Sequence, residues 1–198
     1  MHGYYDPHPT VTLDRHLVLA GYFGAETRRI AFRLAALTGL GVTDLDRKIE
    51  HHAGRSVGEL IRTGGEKRYR RMEREHLASL LASRPGSILS LGDGTLIDAA
   101  NRRRVLAQAR LVVLDLDLPG CYWRYRSGAS GSREWWHPLY LGPVETFEQL
   151  RPYYEQRRPG FAEAHHRIEL RGQGCGEVVR RLMAMVEGSE PRSADPAE

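Results

Sequence analysis

Lysine is almost missing from this chain. Lys48 and Lys67 are the only two among 29 basic residues, so the net charge of +4 is an arginine charge. Cysteine is equally scarce. Cys121 and Cys175 have no metal-like spacing, which excludes a cysteine-built zinc centre and a disulfide framework. They read as reduced thiols of a cytoplasmic protein. No apolar run reaches the ~18 residues that a membrane-spanning helix needs. Met1 to Thr10 has no charged stretch leading into an apolar one, so nothing there signals secretion. Internal repeats are absent too, which excludes a solenoid.

What is present fits one ordinary domain. The chain has 198 residues, 41% hydrophobic and 27% charged. Residues 1–16 read as a leader and 187–198 as a polar tail, leaving 17–186 as the folded domain. Within it, apolar runs at 17–20, 87–91 and 111–116 predict strands, with a short strand ending at Asp44-Leu45-Asp46 and a last one at 167–170. Helical spacing marks 27–38, 47–52, 56–62, 66–82, 101–108, 119–126, 144–157 and 177–186. Between two of these helices, about 125–143, lies a Gly/Ser-rich stretch followed by Trp135, Trp136 and His137, read as a small lid. The two tryptophans there also suit a contact with a protein partner.

Strands alternating with helices predict an α/β fold, three layers α/β/α around a central parallel sheet. In such folds ligands sit beyond the carboxyl ends of the strands. Gly21 to Gly24, Asp44 to Asp46 and Gly92 to Gly94 all follow apolar strands, so all three should meet in one cleft.

The first of these has the outline of a phosphate-binding loop, G-x-x-x-x-G-K-[ST], with its chemistry removed. In the intact loop, backbone N–H groups cradle phosphates, the Lys neutralises them and the hydroxyl holds Mg²⁺. Here Gly21 stands in place, but Glu26 takes the second Gly, Thr27 the Lys and Arg28 the Ser/Thr. The motifs downstream fix that register. They are Asp44-Leu45-Asp46, Tyr69-Arg70-Arg71-Met72-Glu73, Gly92-Asp93-Gly94, His137-Pro138-Leu139 and Arg157-Arg158-Pro159-Gly160-Phe161. In order and spacing, over roughly 17–186, the chain resembles the shikimate kinase family of phosphate-binding-loop proteins.

The resemblance implies roles. Asp46 would bind the ring hydroxyls of shikimate and orient or deprotonate the accepting one. Arg70 and Arg157 would hold the substrate carboxylate, Glu73 would orient Arg70, and Gly92 and Gly94 would let the backbone approach the ligand. Asp44 would sit near the water shell of Mg²⁺. Gly21, Gly24, Ala25, Glu26, Thr27, Arg28, Arg29, Arg124 and His137 occupy the nucleotide side. Arg124 falls near an adenine-contacting arginine and His137 replaces a lid arginine. The same residues also admit plainer readings: Asp44 and Asp46 as a strand end and helix cap, Arg70 and Glu73 as a helix-surface pair.

The departures cluster on the nucleotide side. Phosphoryl transfer is almost wholly positioning and charge stabilisation, and losing one preorganised donor costs ~3 kcal/mol of barrier, about 100-fold. The chain is therefore expected to be a pseudoenzyme needing no cofactor, with a retained pocket for a polyol or carboxylate such as shikimate. One alternative is an active shikimate kinase using ATP and Mg²⁺, with Arg28 or Arg29 in place of the Lys and Glu26 paired to it. Another is nucleic-acid binding through the arginine clusters 68–74, 102–104 and 151–158, although these also suit solvated helix faces. On the acceptor side Asp93 replaces the middle Gly of a Gly-Gly-Gly turn. It would either repel a ligand carboxylate or pair with Arg157 or Arg70, which opens the pocket to a neutral cyclitol.

Overall fold

The computed structural model describes residues 11–127 and 144–188. Its centre is β1 (His16–Gly21), whose six residues are all buried. A strand covered on both faces needs such a continuous apolar run, and parallel sheets supply that covering. β1 pairs in parallel with β3 (Ile88–Ser90), Leu17 opposite Ile88, and with β4 (Ala109–Asp115), His16 opposite Ala109 through Gly21 opposite Leu114. β2 (Val42–Asp44) and β5 (His166–Glu169) complete a five-stranded sheet in the order β2-β3-β1-β4-β5.

Helices flank this all-parallel sheet. They are α1 (Thr27–Thr38), α2 (Leu45–Ala53), α3 (Val57–Gly64), α4 (Glu66–Leu81), α5 (Ala99–Gln108), α6 (Leu118–Arg126), α7 (Arg151–Ala162) and α8 (Cys175–Glu187). Several are bounded by sequence-legible caps. Ser56 and Glu59 form a reciprocal capping box at the start of α3. Asp98 accepts from the N–H groups of Ala100 and Asn101 at the start of α5. The strand order reverses around β1, whose neighbours β3 and β4 both follow later in the chain. That reversal opens a crevice above the ends of β1 and β3.

Two elements differ from the sequence reading. Asp44-Leu45-Asp46 is not a strand end throughout. β2 stops at Asp44, which caps α2 by accepting from Arg47 N–H at 3.0 Å, so Asp46 lies in the first helical turn. The 144–157 helix is a short 3₁₀ turn, Phe147–Leu150, followed by α7, which continues through Pro159 to Ala162. Proline cannot donate to the preceding turn. Here packing outweighs that loss: Phe161 is buried and lies edge-on to the Tyr22 ring at 4.6 Å. Trp135, Trp136 and His137 lie outside the described residues, as does most of the lid range and the tail from 189 on. Among the described residues no helix is long and apolar enough to cross a membrane.

Candidate functional site

The loop after β1 keeps a glycine-loop backbone while changing its side chains. A Cβ on Gly21 would come within 2.8 Å of the Leu114 carbonyl oxygen, so the close approach of β1 to β4 requires glycine there. The turn closes with Ala25 N–H donating to Tyr22 O at 2.9 Å. Glu26 then takes φ 54°, ψ 32°, and is the one non-glycine residue with positive φ among those described. That is the left-handed region a glycine would occupy without strain, and the cost to another residue is about 1–2 kcal/mol.

Glu26 also stands at the N-terminus of α1, where backbone N–H groups and the helix dipole favour an anion. Its carboxylate accepts from Arg29 Nη1 at 3.1 Å, and Arg124 Nη1 lies 3.9 Å away while donating to Gly24 O at 2.9 Å. Arg29 thus turns to Glu26. Arg28 lies in the field of Asp44, Glu50 and Asp46. Burial lowers the Arg28 pKa, and those carboxylates pull against the shift.

Opposite the loop lies a group of four carboxyls. Asp44, 7% exposed, has its pKa raised by burial, partly countered by the bonds from Arg47 N–H and Ser90. Asp46 sits in the first turn of α2 and accepts from the Tyr69 hydroxyl of α4 at 2.7 Å. Burial, then the fields of Asp44, Glu73 and Asp93, push its pKa up to about 8. A carboxyl with that value carries its proton at neutral pH. The chain reversal after β3 leaves room for it, since a Cβ on Gly92 would come 2.9 Å from Asp46 Oδ2.

Glu73 of α4 is 1% exposed and fully engaged. Arg70 Nη1 donates to both its oxygens, at 3.0 and 2.9 Å, and Thr95 Oγ1 donates to Oε1 at 2.8 Å. Burial still raises its pKa. Arg70 also donates through Nε to Glu66 at 3.2 Å. Its guanidinium lies over Gly94, where a Cβ would come 2.5 Å from Nη2.

Arg157 of α7 is 3% exposed, and its guanidinium stacks on the Tyr153 ring. Of the two arginines open to Asp93, the carboxylate takes this one. Asp93 Oδ2 accepts from Arg157 Nε at 3.2 Å and from the Tyr153 hydroxyl at 2.7 Å.

The structure therefore brings Asp44, Asp46, Arg70, Glu73, Gly92, Gly94 and Arg157 together, with Arg28 on their border. Gly24, Ala25 and Glu26 form the neighbouring loop, Thr27 and Arg29 the first turn of α1 after it, and Arg124 reaches it from α6. Among the described residues no group of three or more His, Cys, Asp or Glu is arranged to hold a metal ion. Sequence reasoning did not name Tyr153, Thr95 or the hydroxyl of Tyr69 as site groups. Tyr153 precedes Arg157 by one helical turn, a spacing that could have revealed it. Nothing in the sequence marks Thr95.

Comparisons with known proteins agree with the fold. A family model described as shikimate kinase matches residues 24–187. A shikimate kinase of Mycobacterium marinum is 32% identical over 178 residues, covering 89% of this chain and 92% of that protein. One from Thermus thermophilus is 31% identical over 167 residues, 84% and 87% of the two chains. The solved shikimate kinase of Acinetobacter baumannii, in complex with shikimate, superposes with a TM-score of 0.75 at 23% identity. That likeness covers 90% of this chain and 96% of that one, and it bears on the fold alone.

Proposed function

We propose, since the chain belongs to the shikimate kinase family, that it is a member without efficient ATP-dependent phosphoryl transfer. On this reading it keeps the acceptor pocket to bind a small polyol or carboxylate, for ligand sensing or regulation. The observation that carries the reading is the Glu26 carboxylate at the N-terminus of α1, held there by Arg29. A helix N-terminus next to a glycine turn is an anion site. In this chain the loop sets a carboxylate beside that site, without a cap bond to the α1 N–H groups, and an incoming phosphate would meet it as a like charge.

ATP and Mg²⁺, which the family uses, fit the residues present poorly. Thr27 brings no cation to the phosphates. Arg28 replaces a hydroxyl ligand with a guanidinium, and that guanidinium lies in the field of Asp44, the residue that the resemblance assigns to a metal's water shell. A cation beside that carboxylate opposes a second cation there. Calorimetry on the whole chain with ATP·Mg²⁺, and separately with shikimate, tests the reading. Micromolar ATP binding together with ADP release would overturn it.

A second reading has its own support. The named kinases share 31–32% identity over most of this chain, and Asp46, Arg70 and Glu73 stand together opposite the loop. On that reading the chain is an active shikimate kinase with an unorthodox loop. A coupled ADP-release assay decides between the two, and Asp46→Asn must abolish any genuine signal.

A further inference from the structure

Of the two arginines of the acceptor pocket, Arg70 is braced by Glu73 with its Nη2 over Gly94, whereas Arg157 is taken up by Asp93. Arg70 donates to the two oxygens of Glu73 and to Glu66. Arg157 donates through Nε to Asp93 and through Nη1 to the Tyr153 carbonyl and to Gln156, with its guanidinium face against the Tyr153 ring. We propose that this pocket takes a polyol without a carboxylate, a neutral or amine-bearing cyclitol, and that Asp93 is the residue that sets the choice. The inference rests on the reading of this cleft as the acceptor pocket.

Arg157 is 3% exposed and Asp93 15%, so their pair sits where solvent screens little. A ligand carboxylate could reach Arg157 only by displacing Asp93 or by lying beside it. Displacement would strand a part-buried carboxylate and break its bond from Tyr153, and lying beside it would set two like charges against one guanidinium. The surrounding groups sharpen the bias. Asp44 and the protonated Asp46 lie in the same cleft, and the field of Asp93 reaches both Asp46 and Glu73. An acceptor-rich pocket suits hydroxyls, which donate as well as accept. An amine would meet the Asp93 carboxylate as an opposite charge. Asp93 thus excludes by repulsion, which is a common source of discrimination.

The test is calorimetry without nucleotide on the full chain and on two variants, Asp93→Gly and Asp93→Asn. The probes are shikimate, myo-inositol and scyllo-inosamine. The natural chain is expected to bind one of the two cyclitols more tightly than shikimate. Asp93→Gly is expected to bind shikimate at least ten-fold more tightly than the natural chain, because Arg157 Nε becomes available to it. Asp93→Asn keeps the side chain's size and an acceptor for Tyr153, so it carries the test if the glycine variant folds poorly. Its shikimate affinity is expected to rise in the same direction. No gain of shikimate affinity in either variant would overturn the proposal. ADP release by the natural chain with myo-inositol would overturn the loss of phosphoryl transfer and leave this inference standing.

Discussion

The Tyr69 hydroxyl donates to Asp46 Oδ1 at 2.7 Å, and that bond ties α4 to the first turn of α2. It meets a carboxyl that burial has pushed from an ordinary 3.8 up to about 8. The folded chain therefore holds a proton on Asp46 over a pH range in which the unfolded chain has released it. A raised acid favours the fold fully below its unfolded value, and that contribution drains away as pH rises to the folded value. Stability attributable to Asp46 should fall between about pH 4 and pH 8, by an amount on the order of a few kcal/mol. Asp46→Asn imitates the protonated group and keeps an oxygen for Tyr69, so its stability should be flatter over that window. Urea midpoints of both chains at pH 5 and pH 8 check this, and parallel curves would refute it.

Glu26 offers a second test, of backbone rather than charge. Its φ of 54° suits glycine. Glu26→Gly should relieve roughly 1 kcal/mol of strain, offset in part by the lost pair with the mostly exposed Arg29. Glu26→Ala loses the pair and keeps the strain. The glycine variant should therefore melt above the alanine variant, and a thermal melt showing the reverse order would refute the strain.

The loop's chemistry can also be rebuilt. Glu26→Gly, Thr27→Lys and Arg28→Ser together restore the phosphate-binding pattern on a backbone that already has the glycine turn. Each charge-assisted bond gained is worth about 1.5–3 kcal/mol. The triple variant should bind ADP·Mg²⁺ at least ten-fold more tightly than the natural chain in calorimetry. Equal affinity would mean that the loss of nucleotide chemistry lies outside these three residues.

Much of the fold is legible in the sequence because β1 and β4 are buried on both faces and so appear as unbroken apolar runs. The register of the loop is legible because the motifs after it follow in order. Two boundaries were hidden. Asp44 caps α2 through a bond to Arg47 N–H, a local choice that strand and helix patterns do not separate. Pro159 marks a helix end by its own chemistry, yet burial of Phe161 against Tyr22 carries α7 past it. In the site, sequence leaves Asp93 two arginine partners. Only the crossing of α7 beside the turn after β3 selects Arg157 and adds Tyr153, 60 residues away in the chain.

Glu73 is the pocket group whose removal should cost most. It is 1% exposed, and three donor contacts, two from Arg70 and one from Thr95, satisfy its oxygens. Breaking a buried pair by deleting one partner costs about 3–5 kcal/mol, because the remaining charge loses its partner without regaining water. Arg70 is 20% exposed and keeps Glu66, so it can rehydrate in part. The cost of Glu73→Ala should thus fall near the lower end, about 3 kcal/mol. Glu73→Gln keeps an oxygen for Thr95 or Arg70 and should recover part of the loss. The surface pair Arg151–Glu148 has the same i,i+3 spacing but is exposed at both ends, so Arg151→Ala should leave the midpoint unchanged. Urea unfolding of the three variants measures the contrast. A Glu73→Ala midpoint matching that of Arg151→Ala would mean that Glu73 is not the buried brace of the pocket.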